Sequence, residues 1–405
     1  MLTSFAPPKI QLLSQILPSE PLLLMGAGPV PIPHAVAQAN SVVINHLGDT
    51  MNKVVDNVKV LAQYAFQTRS PYVMGVAGPS SAAMEMGITN LLWKGKKALV
   101  LENGTFSNRL GQMASGVGAD VTRIIAKEPS PLKLDEIKKA LESEKYDLVT
   151  LVQGETSCGV YNAQLKKIAQ LCKANGALVL VDAVCTLSTM PLKMDDWGLD
   201  VVITGGQKGV SSIPGVSLIA FSKDAWDVIE KRGKTGPHWC LSALGSFEFW
   251  GNHDYHYTAP VPGILAMHEA LRLICEETLA QRFIRHKQSS LALQEGLEKM
   301  GLELYVPKEY RLNSVVAINM PKGIDGYQVR SYMAEKFNVE ISGAFGLEII
   351  RIGQMGEQCR SHNLFRTLHA LGMAFRNEGY KVNLSAGMAA MEEFLARDSD
   401  EIILL

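Results

Sequence analysis

Three short stretches place reactive side chains where their neighbours give them little company. In "VVITGGQKGVSSIPG", Val201 to Gly215, Lys208 follows a β-branched run that reads as a buried strand and opens a cluster of Gly, Ser and Pro. An ammonium group there is unfavourable unless the site uses it, because burial strips its hydration. In "LVLVDAV", Asp182 ends another apolar strand, and a carboxylate in that position needs a cation or hydrogen-bond donors. In "GPSSAAMEM", Ser80 and Ser81 open a helix whose free N–H groups and positive end suit an anion. Plainer readings exist for each. Lys208 and Asp182 could form a buried salt bridge, and the serines could simply cap their helix.

Taken together, the three fit one kind of ligand. Pyridoxal 5′-phosphate needs a lysine of lowered pKa for its aldehyde, a carboxylate for its ring nitrogen, and donors for its phosphate. The glycine-bearing entry "GAGPVPIP" from Gly26 to Pro33 has no third glycine and has prolines where a helix should begin, so it is a turn and not a dinucleotide fingerprint. No P-loop is present, and "GPSSAA" is not the nucleophile elbow of a hydrolase.

The elements that must position these residues alternate in a regular way from Lys97 to Ser222. Strands are expected at "KALVLEN", "VTRIIA", "DLVTLVQ", "GALVLVDAV", "DVVITGG" and "SLIAFS", and helices at "LKLDEIKKALES" and "NAQLKKIAQLCKANG". Strands this apolar, interleaved with helices, imply an α/β fold whose mostly parallel sheet is covered on both faces, with ligands at the carboxyl ends of the strands. Upstream, "TMNKVVDNVKVLAQYAF" and "SSAAMEMGITNLLW" read as helices. Downstream, residues 265–301 read as one long helical stretch, followed by strands at "NSVVAINMP" and "LEIIRIG", a helix from about Asp325 and a final helix from about Ser361. The expected organisation is an arm at 1–25, a large domain at 26–280 and a smaller α+β domain at 281–405.

Charge removes several function classes. Thirty-nine Lys and Arg against 40 Asp and Glu leave a net charge of −1, with no basic excess to neutralise a nucleic acid. No apolar run is long enough to span a bilayer, the start lacks a signal-peptide pattern, and "EIILL" matches no peroxisomal or retention signal, so a cytoplasmic location is expected. The six cysteines show no C-x-x-C pair and read as small buried hydrophobes. No metal is expected, the "HDYHYT" patch from His253 to Thr258 included, since it lacks a helical His pair.

In the order and spacing of its motifs the chain resembles the class V pyridoxal-phosphate aminotransferases, in particular the alanine–glyoxylate and serine–pyruvate or serine–glyoxylate group. The likeness runs through "LLLMGAGPVPIP", "YAFQTRSP", "AGPSSAAMEM", "ENGTFSNR", "QGETSCGVYN", "LVDAV", "TGGQKG", "PGVSLIAFS", "YHYTAP" and "RIGQMG". It implies a fold-type I transferase in which Lys208 is the Schiff-base lysine and proton shuttle, and Asp182 pairs with the ring nitrogen. Phe106 is implied to stack on the ring with Val184 on its other face, and Ser157 to hydrogen-bond near the ring hydroxyl. Ser80, Ser81 and Gln207 are implied to hold the phosphate from one subunit, with Tyr255 and Thr258 reaching it from the other, which makes a homodimer the working unit. Arg351 is implied to grip the substrate carboxylate, a two-pronged contact that lysine cannot reproduce. Asn45 and His46, in "INHLGD", lie where relatives line the substrate pocket.

The chain departs from the family pattern at Cys158, where Thr is usual, at Pro79-Ser80-Ser81, and in the reduced "SIPG" after the lysine. A ureidoglycine-using branch typically has Gln and Asn where this chain has His46 and Tyr255. The expected function is therefore transfer of an amino group from alanine or serine to glyoxylate or pyruvate by a ping-pong mechanism. The competing readings are another pyridoxal-phosphate enzyme of the same fold, either a ureidoglycine–glyoxylate or aspartate-type aminotransferase or a carbon–sulfur lyase or desulfurase needing Cys158 or Cys359 as a reactive thiol, and a non-catalytic scaffold that kept the fold.

Overall fold

A computed structural model describes residues 6–233, 236 and 238–404; residues 1–5 of the expected arm, and Leu405 of the expected small domain and of "EIILL", lie outside the described residues. Seven strands make the central sheet: β1 Val73–Ala77, β2 Lys97–Glu102, β3 Asp120–Ile125, β4 Leu148–Val152, β5 Leu178–Asp182, β6 Val201–Gly205 and β7 Val216–Phe221. Their spatial order is β1-β7-β6-β5-β4-β2-β3. Only β7 runs antiparallel to its neighbours; the pairs from β6 through to β3 are parallel. β4, β6 and β7 are buried at every position because helices cover both faces, and that is why these strands read as near-continuous apolar runs.

The helix Ser80–Leu91 packs on β6 and β7, and the helix Thr105–Gly116 on β2 and β4. Each starts within a few residues of a strand's carboxyl end. The ends of β1, β2, β4, β5 and β6 therefore converge on one edge, where Ser80, Phe106, Glu155, Asp182 and Lys208 follow them.

A second core gathers residues from Ala292 to Ile402, together with Met25, around two antiparallel strands, β8 Val315–Asn319 and β9 Ile349–Gly353. Leu23–Leu24, at the end of the expected arm, pairs in parallel with Val339–Glu340 and so belongs to this layer. Ahead of it, the short helix Leu13–Ile16 is exposed.

The expected continuous helix at 265–301 is instead two, Val261–Glu277 and Leu279–Lys299, broken at Thr278. Thr278 adopts φ 67°, which interrupts the helical hydrogen bonds, and its hydroxyl accepts from Gln281 N to cap the new helix. Ion pairs fix the break. Glu277 takes Arg282 Nη1 at 2.9 Å and Arg285 Nε at 2.5 Å. Arg282, 4 % exposed, also donates to Gly209 O at 2.8 Å and Ser188 Oγ at 3.1 Å, next to the loop of Lys208. Arg285 donates to Gly356 O at 2.7 Å, five residues beyond Arg351. Gly356 N donates to His286 Nε2 at 2.9 Å, an acceptor role preserved because burial, and then the neighbouring guanidiniums, hold that imidazole well below its ordinary pKa. The helix Ser361–Asn377 is not the last; Leu384–Leu395 and Ser399–Leu404 follow it.

Candidate active site

The strand-end edge encloses a cavity of about 460 Å³ lined by Ser80, Ser81, Phe106, Arg109, Thr156, Asp182, Val184, Gln207 and Lys208, with Met84, Gly154 and Cys185. Asp182 is the last residue of β5, and Lys208 lies three residues past the end of β6, the adjacent parallel strand. Two neighbouring strands thus deliver a carboxylate and an amine to one space.

Lys208 passes over Gly28, where a Cβ would sit 2.5–2.7 Å from its Cδ, Cε and Nζ. Gly28 also has φ +104°, so both its backbone and its missing side chain are required. The "GAGPVP" turn is the floor under the lysine. Lys208 Nζ donates to Ala27 O. Burial pulls the ammonium down to about 8, opposed by Cys185 and Asp182 and assisted by the positive charges of Arg351 and Arg109. A sizeable neutral fraction at ordinary pH makes this amine a nucleophile.

Asp182 is 7 % exposed and accepts from Val184 N at 2.8 Å. Burial pushes its carboxyl up to about 7; the Val184 N–H acts against that push, and the negative charge of Glu155 adds to it. A carboxyl this short of counter-charge is poised to receive a protonated ring nitrogen. At the opposite corner, Ser80 Oγ and Gln207 Oε1 are buried with no hydrogen-bond partner, beside the start of the helix Ser80–Leu91. Arg109 reaches the same corner. Its Nη1 donates to Ser81 Oγ at 3.2 Å, and its guanidinium lies 5.0 Å from the centre of the Phe106 ring.

Ser157 does not line this cavity. Its hydroxyl donates to Glu155 Oε1 at 2.6 Å and accepts from Thr105 N at 3.0 Å, behind the wall, and Thr156 takes the lining position. Arg351, on β9 and 5 % exposed, stands beyond Thr156: Nη1 donates to Thr156 O at 2.5 Å and Nε to Gly343 O at 2.8 Å. None of Asn45, His46, Tyr255 and Thr258 lines this cavity; Asn45, Tyr255 and Thr258 are exposed and His46 is half-buried. The rings of His46 and Tyr255 meet edge to face at 5.9 Å. Arg109, Thr156 and Glu155 escaped sequence reasoning, the first because an arginine on an amphipathic helix reads as a solvated face.

The thiols that a desulfurase would need are not poised for attack. Cys158 and Cys359 are buried; burial pushes Cys158 far up, with Glu155 adding to the push, and raises Cys359 to about 11.

The residues present fit pyridoxal phosphate: an amine of lowered pKa, a buried carboxyl facing it, and unpartnered donors and acceptors with a guanidinium at the far corner. Solved structures with this fold include an alanine–glyoxylate aminotransferase from Nostoc sp. (TM-score 0.87, 34 % identity, 91 % of this chain and 98 % of that one) and a ureidoglycine–glyoxylate aminotransferase from Bacillus subtilis (TM-score 0.90, 27 % identity, 94 % and 100 %). Fold and site define a pyridoxal phosphate-dependent transferase. The model of the aminotransferase class-V family matches residues 33–360, and the alanine–glyoxylate aminotransferase of Rattus norvegicus is 32 % identical over 91 % of each chain. The chain belongs to the class-V aminotransferases.

Proposed function

We propose that this protein transfers the amino group of alanine or serine to glyoxylate or pyruvate, in two half-reactions at the pocket of Lys208. The observation that carries this reading is the meeting of Lys208, Asp182 and the Ser80–Ser81–Gln207 corner around one cavity, in a chain 32–34 % identical to alanine–glyoxylate aminotransferases over nine-tenths of its length.

When bound, pyridoxal phosphate supplies an aldehyde that condenses with amines and a protonated ring that accepts the electron pair of a broken α-C–H bond. Lys208 would hold that aldehyde, and its Nζ, once free, would carry the α-proton. Asp182 keeps the proton on the ring nitrogen. Phe106 and Val184 would pack on the ring, and Thr156, which lines the cavity where Ser157 was expected, would stand at its edge. Ser80, Ser81 and Gln207 would hold the phosphate, and Arg109 would add a full positive charge to the partial one of the helix start. Arg351 trades its carbonyl partners for the substrate carboxylate.

The working unit is a homodimer whose second chain brings Tyr255 and Thr258 to the phosphate and Asn45 and His46 to the substrate. Supporting this, Tyr255 is 55 % exposed and Val43 77 % exposed, while none of the four residues lines the pocket of its own chain.

The test is the visible spectrum of the purified protein, with L-alanine, L-serine or L-aspartate added separately. A band lost with alanine or serine and restored by glyoxylate or pyruvate is expected. A protein that stays colourless after incubation with pyridoxal phosphate overturns the reading.

A further inference from the structure

Glu155 lies three residues past the end of β4 and is fully buried, at 0 % exposure. Every hydrogen bond its carboxylate makes is to a donor. Oε2 accepts from Phe106 N at 3.1 Å, Ser107 N at 2.9 Å and Ser107 Oγ at 3.0 Å. Oε1 accepts from Ser157 N at 3.1 Å and Ser157 Oγ at 2.6 Å. Thr105 N ends on Ser157 Oγ at 3.0 Å, so the first three N–H groups of the helix Thr105–Gly116 all terminate on Glu155 or on the hydroxyl it holds. No residue of that helix's own start provides a cap; Gly104 stands there with no side chain. A Cβ on Gly104 would fall 2.5 Å from both Glu155 Cγ and Ser157 Oγ, so the helix start and the loop meet without space between them.

Two functional side chains depend on this joint. Phe106 is the second residue of the clamped helix, so its ring direction follows the clamp. Thr156, between Glu155 and Ser157, presents the carbonyl that Arg351 holds at 2.5 Å. A carboxylate suits the joint, because charge-assisted bonds to N–H groups at a helix start are strong and the helix dipole favours the negative charge.

We propose that Glu155 is a positioning residue, setting Phe106 against the cofactor ring and, through Thr156, setting Arg351 for the substrate carboxylate. The proposal rests on the pyridoxal phosphate reading of the pocket. Its alternative is a cap that stabilises the fold and nothing more.

The experiment uses the full-length protein loaded with pyridoxal phosphate. Glu155→Gln keeps the shape but turns an acceptor toward N–H donors into a further donor, leaving buried groups unpaired. The expected result is cofactor affinity weakened on the order of tenfold, by titration of the visible band. The circular dichroism of that band should fall, because the ring loses its fixed tilt, and KM for the amino donor should rise. In a double-mutant cycle, Phe106→Ala combined with Glu155→Gln should bind cofactor about as well as Phe106→Ala alone. Wild-type affinity and dichroism in Glu155→Gln, or fully additive losses in the cycle, overturn the proposal. If Glu155→Gln does not fold, Ser157→Ala decides: it removes one strut only, and unchanged cofactor affinity and dichroism in that variant overturn the proposal equally. Failure of the wild-type protein itself to develop the band would sink the functional reading first.

Discussion

The wall around Lys208 and the surface around His46 both carry residues expected in one site, but they are finished to different degrees. In the wall, Asp182 and Ser80 are each 7 % exposed, Glu155 is completely buried, and Arg351 and Glu155 have their hydrogen bonds made within the chain. On the surface, Tyr255 is 55 % exposed and Val43 is 77 % exposed. Residues such as Val42, Val43 and Leu47 leave apolar area uncovered beside the polar ones. Folding of one chain completes the first region except at Ser80 Oγ and Gln207 Oε1, which stay buried without a partner. The second keeps polar and apolar area uncovered, which is the surface that the proposed second copy would close.

The strongest way to break this contrast is to remove the amine. Lys208→Ala should cut kcat roughly 10³-fold or more and abolish the lysine-dependent visible band, with the oligomeric state unchanged by sedimentation. A second test sharpens it. Tyr255→Ala should weaken cofactor binding about tenfold, as expected for one lost phosphate contact. Mixing Tyr255→Ala and Lys208→Ala chains should then restore activity, because every mixed dimer has one site with neither lesion; no recovery after demonstrated subunit exchange would place Tyr255 in its own chain's site.

The smallest effect concerns the empty pocket. Lys208 is lowered to about 8 and Asp182 raised to about 7, so each disfavours the folded apoprotein over a definite range. A raised carboxyl makes the native chain bind more protons than the unfolded one, so stability falls as pH rises from about 4 to about 7. A lowered lysine makes the native chain bind fewer, so stability recovers between about 8 and about 10.5. Near pH 7.5 both penalties are present. The apoprotein of Lys208→Met should therefore be more stable than wild type there, by about 1–3 kcal/mol in chemical denaturation, and the advantage should vanish by about pH 10.5. No advantage at pH 7.5 would show that the lysine is not held against its burial.

These contrasts explain which residues the sequence could reveal. Lys208 and Asp182 were legible because a charge at the end of an apolar, β-branched run is anomalous within its own neighbourhood. The parallel sheet was legible for the same reason, through six of its seven strands. β1, "VMGVA", carries a glycine at its centre that breaks the apolar run, and it was not read. Thr156 and Ser157 are adjacent residues of one turn, and only the backbone path decides which hydroxyl faces the cavity. Glu155 reads as an ordinary polar loop residue, because its partners, Phe106 and Ser107, lie some fifty positions away. The break at Thr278 carries no Gly or Pro, and "CEETLAQRF" keeps helical spacing across it.

Thr278 also decides where two functional segments are joined. The helix that begins after it holds Gly209 through Arg282 and Gly356 through Arg285 and His286, within its first eight residues. It is therefore a brace seated on both functional segments at once. The lysine loop and the segment after Arg351 are thereby fastened to one another through a single helix start.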